Sequence, residues 1–166
     1  DLLTLKHLTD SKQLTTRRRE NLLADFLQLD IPWRMSVISP AIIDRINILQ
    51  AARLGMHRSV KRIPVPAHLK PLVAVDGNQP IDTPWPQQTI IKGDLRFKSI
   101  GMASVIAKVM RDRFMTAVDR AWPQYGFAGH KGYPAPNHRE ALKQNGPCPI
   151  HRRSFRGVLP DLDRSF

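Results

Sequence analysis

The run Leu72-Val73-Ala74-Val75 is almost purely apolar and stops on Asp76-Gly77. A short apolar run ending at turn residues reads as a central strand buried on both faces. Pro64, Pro66 and Pro71 precede it, and a loop carrying Pro80, Pro84 and Pro86 follows. Proline punctuates regular structure, so both flanks are breaks. Thr89-Ile90-Ile91 reads as a neighbouring strand that ends at Lys92-Gly93-Asp94, and Met35 to Ile38 as a shorter one.

Helical spacing surrounds these strands. Leu22, Leu23, Phe26 and Leu27 recur with it between Thr15 and Asp30, and Thr15 suits the N-cap. Arg17, Arg18 and Arg19 crowd the first turn, where the helix dipole disfavours cations. Ser39-Pro40 fits an N-cap followed by a first-turn proline. Ile48, Leu49, Ala52, Met56 and Val60 lie near one face of a second helix running to about Arg62. Ile100, Ala103, Ala107, Met110, Phe114 and Ala117 step by three and four along the longest helix, with Lys108, Arg111 and Arg113 opposite. A last helix runs from about Pro136 to Asn145, and Gly146 stops it. Strands alternating with helices indicate an α/β domain. In open α/β sheets, functional groups gather at strand ends.

Charge narrows the partners. Lys and Arg number 26 against 14 Asp and Glu, a formal net charge of +12. Such an excess attracts polyanions, and nucleic acid is the commonest, although a generally basic protein would look the same. Cys148 is the single cysteine, which excludes an internal disulfide framework and a cysteine-based zinc cluster. No apolar run is long enough to span a bilayer, and Asp1 opens a polar stretch rather than a secretory signal. A reducing cytoplasm is the simplest compartment.

Val75-Asp76-Gly77-Asn78 and Lys92-Gly93-Asp94 carry the chemistry. Two carboxylates at neighbouring strand ends can converge on one hard divalent cation, which takes oxygen ligands and substrate phosphate. Two such ions about 4 Å apart can activate a water and stabilise the leaving oxygen in phosphodiester cleavage. Taken singly, an Asp-Gly is more often a turn. Glu20 and Glu140 are the only glutamates, so a site needing one has few candidates. His130, His138 and His151 show no pair with zinc spacing.

Eight strings, in one order from about Leu8 to Phe155, closely resemble the ribonuclease HII family. They are Asp10-Ser11-Lys12-Gln13-Leu14, Ile43-Asp44 with Ile46-Asn47-Ile48-Leu49, Val75-Asp76-Gly77-Asn78, Lys92-Gly93-Asp94, Ala103-Ser104-Val105-Ile106-Ala107-Lys108-Val109 with Arg111-Asp112, Tyr125-Gly126-Phe127, His130-Lys131-Gly132-Tyr133-Pro134 and His151-Arg152-Arg153-Ser154-Phe155. The resemblance implies an RNase H-like mixed sheet flanked by helices, in an endonuclease that hydrolyses RNA paired to DNA and ribonucleotides embedded in duplex DNA. It implies four carboxylates around Mg²⁺ or Mn²⁺, with Asp76 and Asp94 matching the third and fourth. Tyr133 matches the tyrosine that packs on the sugar at the RNA–DNA junction; without the motif it would read as a buried loop aromatic. Lys12, Lys92, Lys108 and Arg111 are candidate phosphate contacts, or otherwise a solvated basic face. Asp112 is assigned a structural role.

The chain also departs from the family. The family opens with a strand carrying Asp-Glu, then Gly-Arg-Gly, and this chain contains neither string. Residues 1–150 are therefore expected to form an RNase H-like catalytic domain without its first strands, and 151–166 a basic tail. The chain as given is expected to bind metal poorly, to cleave little and to act as a monomer. Ala135 stands where the family has a threonine, the N-cap of the last helix, at a cost of about 1 kcal/mol. The alternative readings are an inactive relative that only binds nucleic acid, or a basic ribosomal-type RNA-binding protein. The latter leaves Asp76 and Asp94 unexplained.

Overall fold

In the computed structural model, which describes residues 14–159, Thr15 caps the first helix. Its side chain accepts the Arg18 N–H at 3.3 Å, and α1 follows over Thr16–Leu27. Arg19 lies buried in the first turn and turns back on the chain, donating to the Leu14 carbonyl at 2.6 Å. That internal bond offsets the unfavourable dipole.

The second helix, α2, spans Pro40–Val60 and opens at Ser39-Pro40 as expected. It is interrupted at Asn47, whose φ of 65° is non-helical. The Asn47 side chain accepts the Gln50 N–H and so caps the helical stretch that follows. Ile48, Leu49 and Ala52 of its expected apolar face are exposed, and Ala51 is buried instead.

Strands β1 (Val73–Asp76) and β2 (Gln87–Ile90) pair in parallel, with Asp76 opposite Ile90. Among the described residues they form the whole sheet. Val75 is buried whereas Ala74 and Leu72 are exposed. The expectation of burial on both faces is therefore corrected: only one side of β1 is covered among the described residues. Met35 to Ile38 is not a strand either, having no ladder partner there. The proline-rich loop between the strands is closed by Gln87, whose side-chain amide bonds both the N–H and the carbonyl of buried Ile81.

The remaining elements are α3 (Gly93–Arg96), α4 (Lys98–Ala121), a 3₁₀ turn (Pro123–Tyr125), α5 (Phe127–His130) and α6 (Pro136–Asn145). Gly146, at φ 68°, ends α6 as expected. Ala135 stands at its N-cap with no side-chain bond to the first turn. Among the described residues, no helix is long and apolar enough to cross a membrane.

The chain divides into two compact units. Among the described residues, one comprises 14–37 together with Ala52–Met110; the other comprises Ile38–Ala51 and 111–159. In the first, Leu22, Leu23 and Phe26 of α1 pack on Met102, Val105, Ile106 and Val109 of α4. In the second, Met115 and Val118 of α4 pack with Tyr125, Phe127, Ala141, Leu142 and Cys148.

The buried stripe of α4 differs from the expected one. Ile100 is buried, but Ala103, Ala107, Phe114 and Ala117 are exposed. This helix has apolar residues at helical spacing on more than one side, so periodicity cannot choose between them. Burial scales with apolar area, and the valines, isoleucine and methionines from Met102 onward remove more of it from water than alanines do.

Candidate active site

Asp76 is the last residue of β1, exposed to solvent at the strand end. The chain reaches it a second time through β2. Gly77 N–H donates to the Ile90 carbonyl, so the ladder continues one residue past Asp76. Beyond Ile90 the backbone turns at Lys92, which adopts a left-handed φ of 54°, and enters α3. That conformation is uncommon for a residue with a side chain and costs free energy. It brings the Gly93 N–H to 2.8 Å from Asp76 Oδ1.

Asp94 therefore does not sit at a strand end, as expected from sequence, but in the first turn of α3. The two acids are nonetheless drawn together, since Asp76 bonds the residue beside Asp94. Gly93 is required by space rather than by backbone angle. A Cβ there would lie 2.7 Å from Ile100 Cδ1 and 3.4 Å from Asp76 Oδ1. Among the described residues neither carboxylate forms an ion pair. Two oxygen-donor groups without a cationic partner suit a hard divalent ion. The same residues contain no group of three or more His, Cys, Asp or Glu able to hold a metal.

Of the basic candidates in this unit, Lys92 is exposed and Lys108 is half-buried on α4. Lys12 lies outside the described residues.

The other unit holds Arg111 and Tyr133. Tyr133 is 56% exposed, which disfavours reading it as a buried loop aromatic. The Arg111 guanidinium lies 5.0 Å from its ring centroid, within cation–π range. Arg111 Nη1 is buried and meets no hydrogen-bond partner among the described residues. Positive φ at Lys131 and Gly132 bends the chain immediately before Tyr133. Lys131 Nζ is held by Thr116 Oγ1 and the Ala128 carbonyl, both at 2.7 Å.

Arg152 adds a second guanidinium beside this pair. Burial and the neighbouring Arg111 charge push it below its ordinary range, while Asp44 opposes the shift. Sequence reasoning left Arg152 without a role. The string His151 to Phe155 was the only signal for it. The structure explains that string. Asp44 accepts the Arg153 and Ser154 N–H groups at 2.9 Å and the Ser154 hydroxyl at 2.6 Å. Burial alone would raise the Asp44 carboxyl, but these bonds and the Arg152 charge hold it below the usual carboxylate value. Arg152 in turn covers the Phe155 ring at 3.6 Å.

His130, His138, His151 and Cys148 form a side-chain cluster that no sequence spacing indicated. His138 and His151 share a bond of 3.1 Å between their Nε2 atoms. His130 stacks on His138 with ring centroids 4.3 Å apart.

Comparisons with known proteins place the chain in a family. The family model described as Ribonuclease HII matches residues 1–158. A relative named Ribonuclease HII from Syntrophotalea carbinolica is 44% identical over 154 residues, covering 93% of this chain and 72% of its own length. One of the same name from Maricaulis maris is 46% identical over 161 residues, covering 96% and 72%. Another, from Xanthomonas oryzae pv. oryzae, is 45% identical over 157 residues, covering 94% and 61%. Among solved structures, the crystal structure of the ribonuclease H2 from Pyrococcus horikoshii OT3 matches with a TM-score of 0.74. It covers 92% of this chain and 78% of that one at 21% identity, a likeness of fold.

Proposed function

The chain belongs to the ribonuclease HII family, and from that premise we propose that it hydrolyses RNA paired to DNA and ribonucleotides embedded in duplex DNA. The observation that supports the site is the Gly93 N–H bond to Asp76 Oδ1, which ties Asp76 to the residue that precedes Asp94. In this reading Asp76 and Asp94 hold Mg²⁺ or Mn²⁺ in a two-metal arrangement, with further oxygen ligands from water and substrate phosphate. When bound, the divalent ions lower the pKa of the attacking water and stabilise the leaving oxygen.

The chain's own residues orient the parts. The Gly93 amide fixes one oxygen of Asp76 and leaves the other to face solvent. Lys92 and Lys108 offer positive charge to the phosphate backbone, as does Lys12 of the segment outside the described residues. Arg111, half-buried beside the exposed Tyr133 ring, offers a further positive charge to the phosphate backbone. Tyr133 presents an exposed ring against which a ribose can pack. The net charge of +12 supports a polyanionic partner. The free thiol of Cys148 fits a reducing cytoplasm.

The alternative of an inactive nucleic-acid binder gains nothing from relatives that bear the enzyme's name. Cleavage of a labelled RNA–DNA hybrid in Mg²⁺ or Mn²⁺ is the test. Asp76→Asn and Asp94→Asn should abolish cleavage while hybrid binding persists. Undiminished cleavage by Asp94→Asn would overturn the ligand assignment.

A further inference from the structure

The histidine cluster has a hydrogen-bond order that both of its ends dictate. The Tyr133 carbonyl can only accept, so the His138 Nδ1 that lies 2.9 Å from it carries a hydrogen. A neutral His138 then accepts at Nε2, and His151 Nε2 donates across the 3.1 Å bond. That leaves His151 Nδ1 as an acceptor. At the far end the Cys148 N–H donates to this same Nδ1 at 3.0 Å, which requires it to be unprotonated for an independent reason. The relay therefore runs from the Cys148 amide through His151 and His138 to the Tyr133 carbonyl, with both rings neutral.

His130 holds the same loop from the other side. Its Nδ1 accepts the Gly132 N–H at 3.1 Å, its Nε2 donates to the Tyr125 carbonyl at 2.7 Å, and its own carbonyl accepts the Tyr133 N–H. Tyr133 is thus gripped at both backbone groups while its ring stays exposed.

We infer that His138 is a positioning residue for Tyr133, effective while it shares a neutral pair with His151, and that a proton on His138 releases the Tyr133 loop. The inference rests on the reading of Tyr133 as a substrate contact. A proton added to His138 must point its Nε2–H at the Nε2–H of His151, whereas one added at His151 Nδ1 meets both the Cys148 N–H and the Cys148 sulfur. The titratable groups facing the pair among the described residues are His130, Cys148 and Tyr125. None supplies a negative charge to receive the proton, because burial raises the Cys148 thiol and the Tyr125 hydroxyl. Burial likewise lowers His138 and His151, and neighbouring histidine charge adds to this, while the backbone hydrogen bonds to Tyr133 and at Cys148 oppose it. His138, His151 and Phe127 pack ring against ring, so the site has a largely apolar wall.

The test is affinity of the full chain, without divalent metal, for a DNA duplex bearing one ribonucleotide against an all-DNA duplex. Wild type should prefer the ribonucleotide at about pH 8 and lose the preference near about pH 5. His138→Phe should lower the preference about two- to tenfold at the higher pH, the range for one lost hydrogen bond, with all-DNA affinity unchanged. His138→Asn keeps an amide donor for the Tyr133 carbonyl and cannot be protonated, so it should retain the preference at both pH values. If Tyr133→Ala leaves the preference intact, the substrate reading of Tyr133 fails and the inference falls with it. If Tyr133→Ala removes the preference but His138→Phe and acid do not, Tyr133 stands and the positioning role is overturned. Should His138→Phe not fold, the comparison of His138→Asn with wild type across pH decides alone. Equal acid loss in both would then refute the inference.

Discussion

Gly93→Ala puts a methyl carbon 2.7 Å from Ile100 Cδ1, well inside van der Waals contact, and 3.4 Å from both Asp76 Oδ1 and Ile90 Cβ. Ile100 and Ile90 are buried, so neither can simply swing into water. Overpacking of this kind costs about 1–3 kcal/mol. Restricting the unfolded chain at a former glycine offsets about 0.4–1 kcal/mol of that. The net loss should be roughly 1–2 kcal/mol, read as a shift in urea midpoint at unchanged slope. Ile100→Val removes the very atom that clashes, at a cost of about 0.5–1.5 kcal/mol by itself. In the double variant the alanine methyl fits the space left by Cδ1. Its cost should fall below the sum of the singles by about 1 kcal/mol or more, a coupling expected only of residues in contact. Additive losses, or a Gly93→Ala chain as stable as wild type, would refute the claim that Gly93 is a spatial requirement of the site.

Acid should destabilise the fold through His138 and His151. Their folded pKa values are lowered, so below about 6.5 the unfolded chain binds protons that the folded chain resists. Stability is therefore complete above that pH and falls as pH drops toward the folded values; urea midpoints flat from pH 7 to about 5 would contradict this. Met102→Ala, at a side chain 1% exposed, should cost about 2–5 kcal/mol in the same assay. Ala135→Thr supplies the missing cap of α6 and should raise stability by about 1 kcal/mol; no gain would mean the new hydroxyl does not reach the first turn.

What was legible in the sequence was local. Thr15, Ser39-Pro40, Pro136 and Gly146 mark helix ends because a cap bonds or turns only its nearest neighbours along the chain. Asp76 and Asp94 stood out through their strings, and β1 and β2 through short apolar runs. The reading failed where packing chose between equivalent patterns. The α4 stripe was misassigned because several of its sides are periodic and only the partner surface selects one. Met35 to Ile38 has strand-like residues, but a strand exists only where a ladder partner lies alongside.

The sequence by itself determined several helix ends, the basic character and, through eight ordered strings, the family. Tertiary structure alone decided that the Gly93 amide holds Asp76, across 17 positions. It alone joined His138 to His151 across 13 positions and Asp44 to Ser154 across 110. The physical reason is range. Capping and periodicity act within a turn or two of the chain, whereas these bonds depend on where separate elements come to rest.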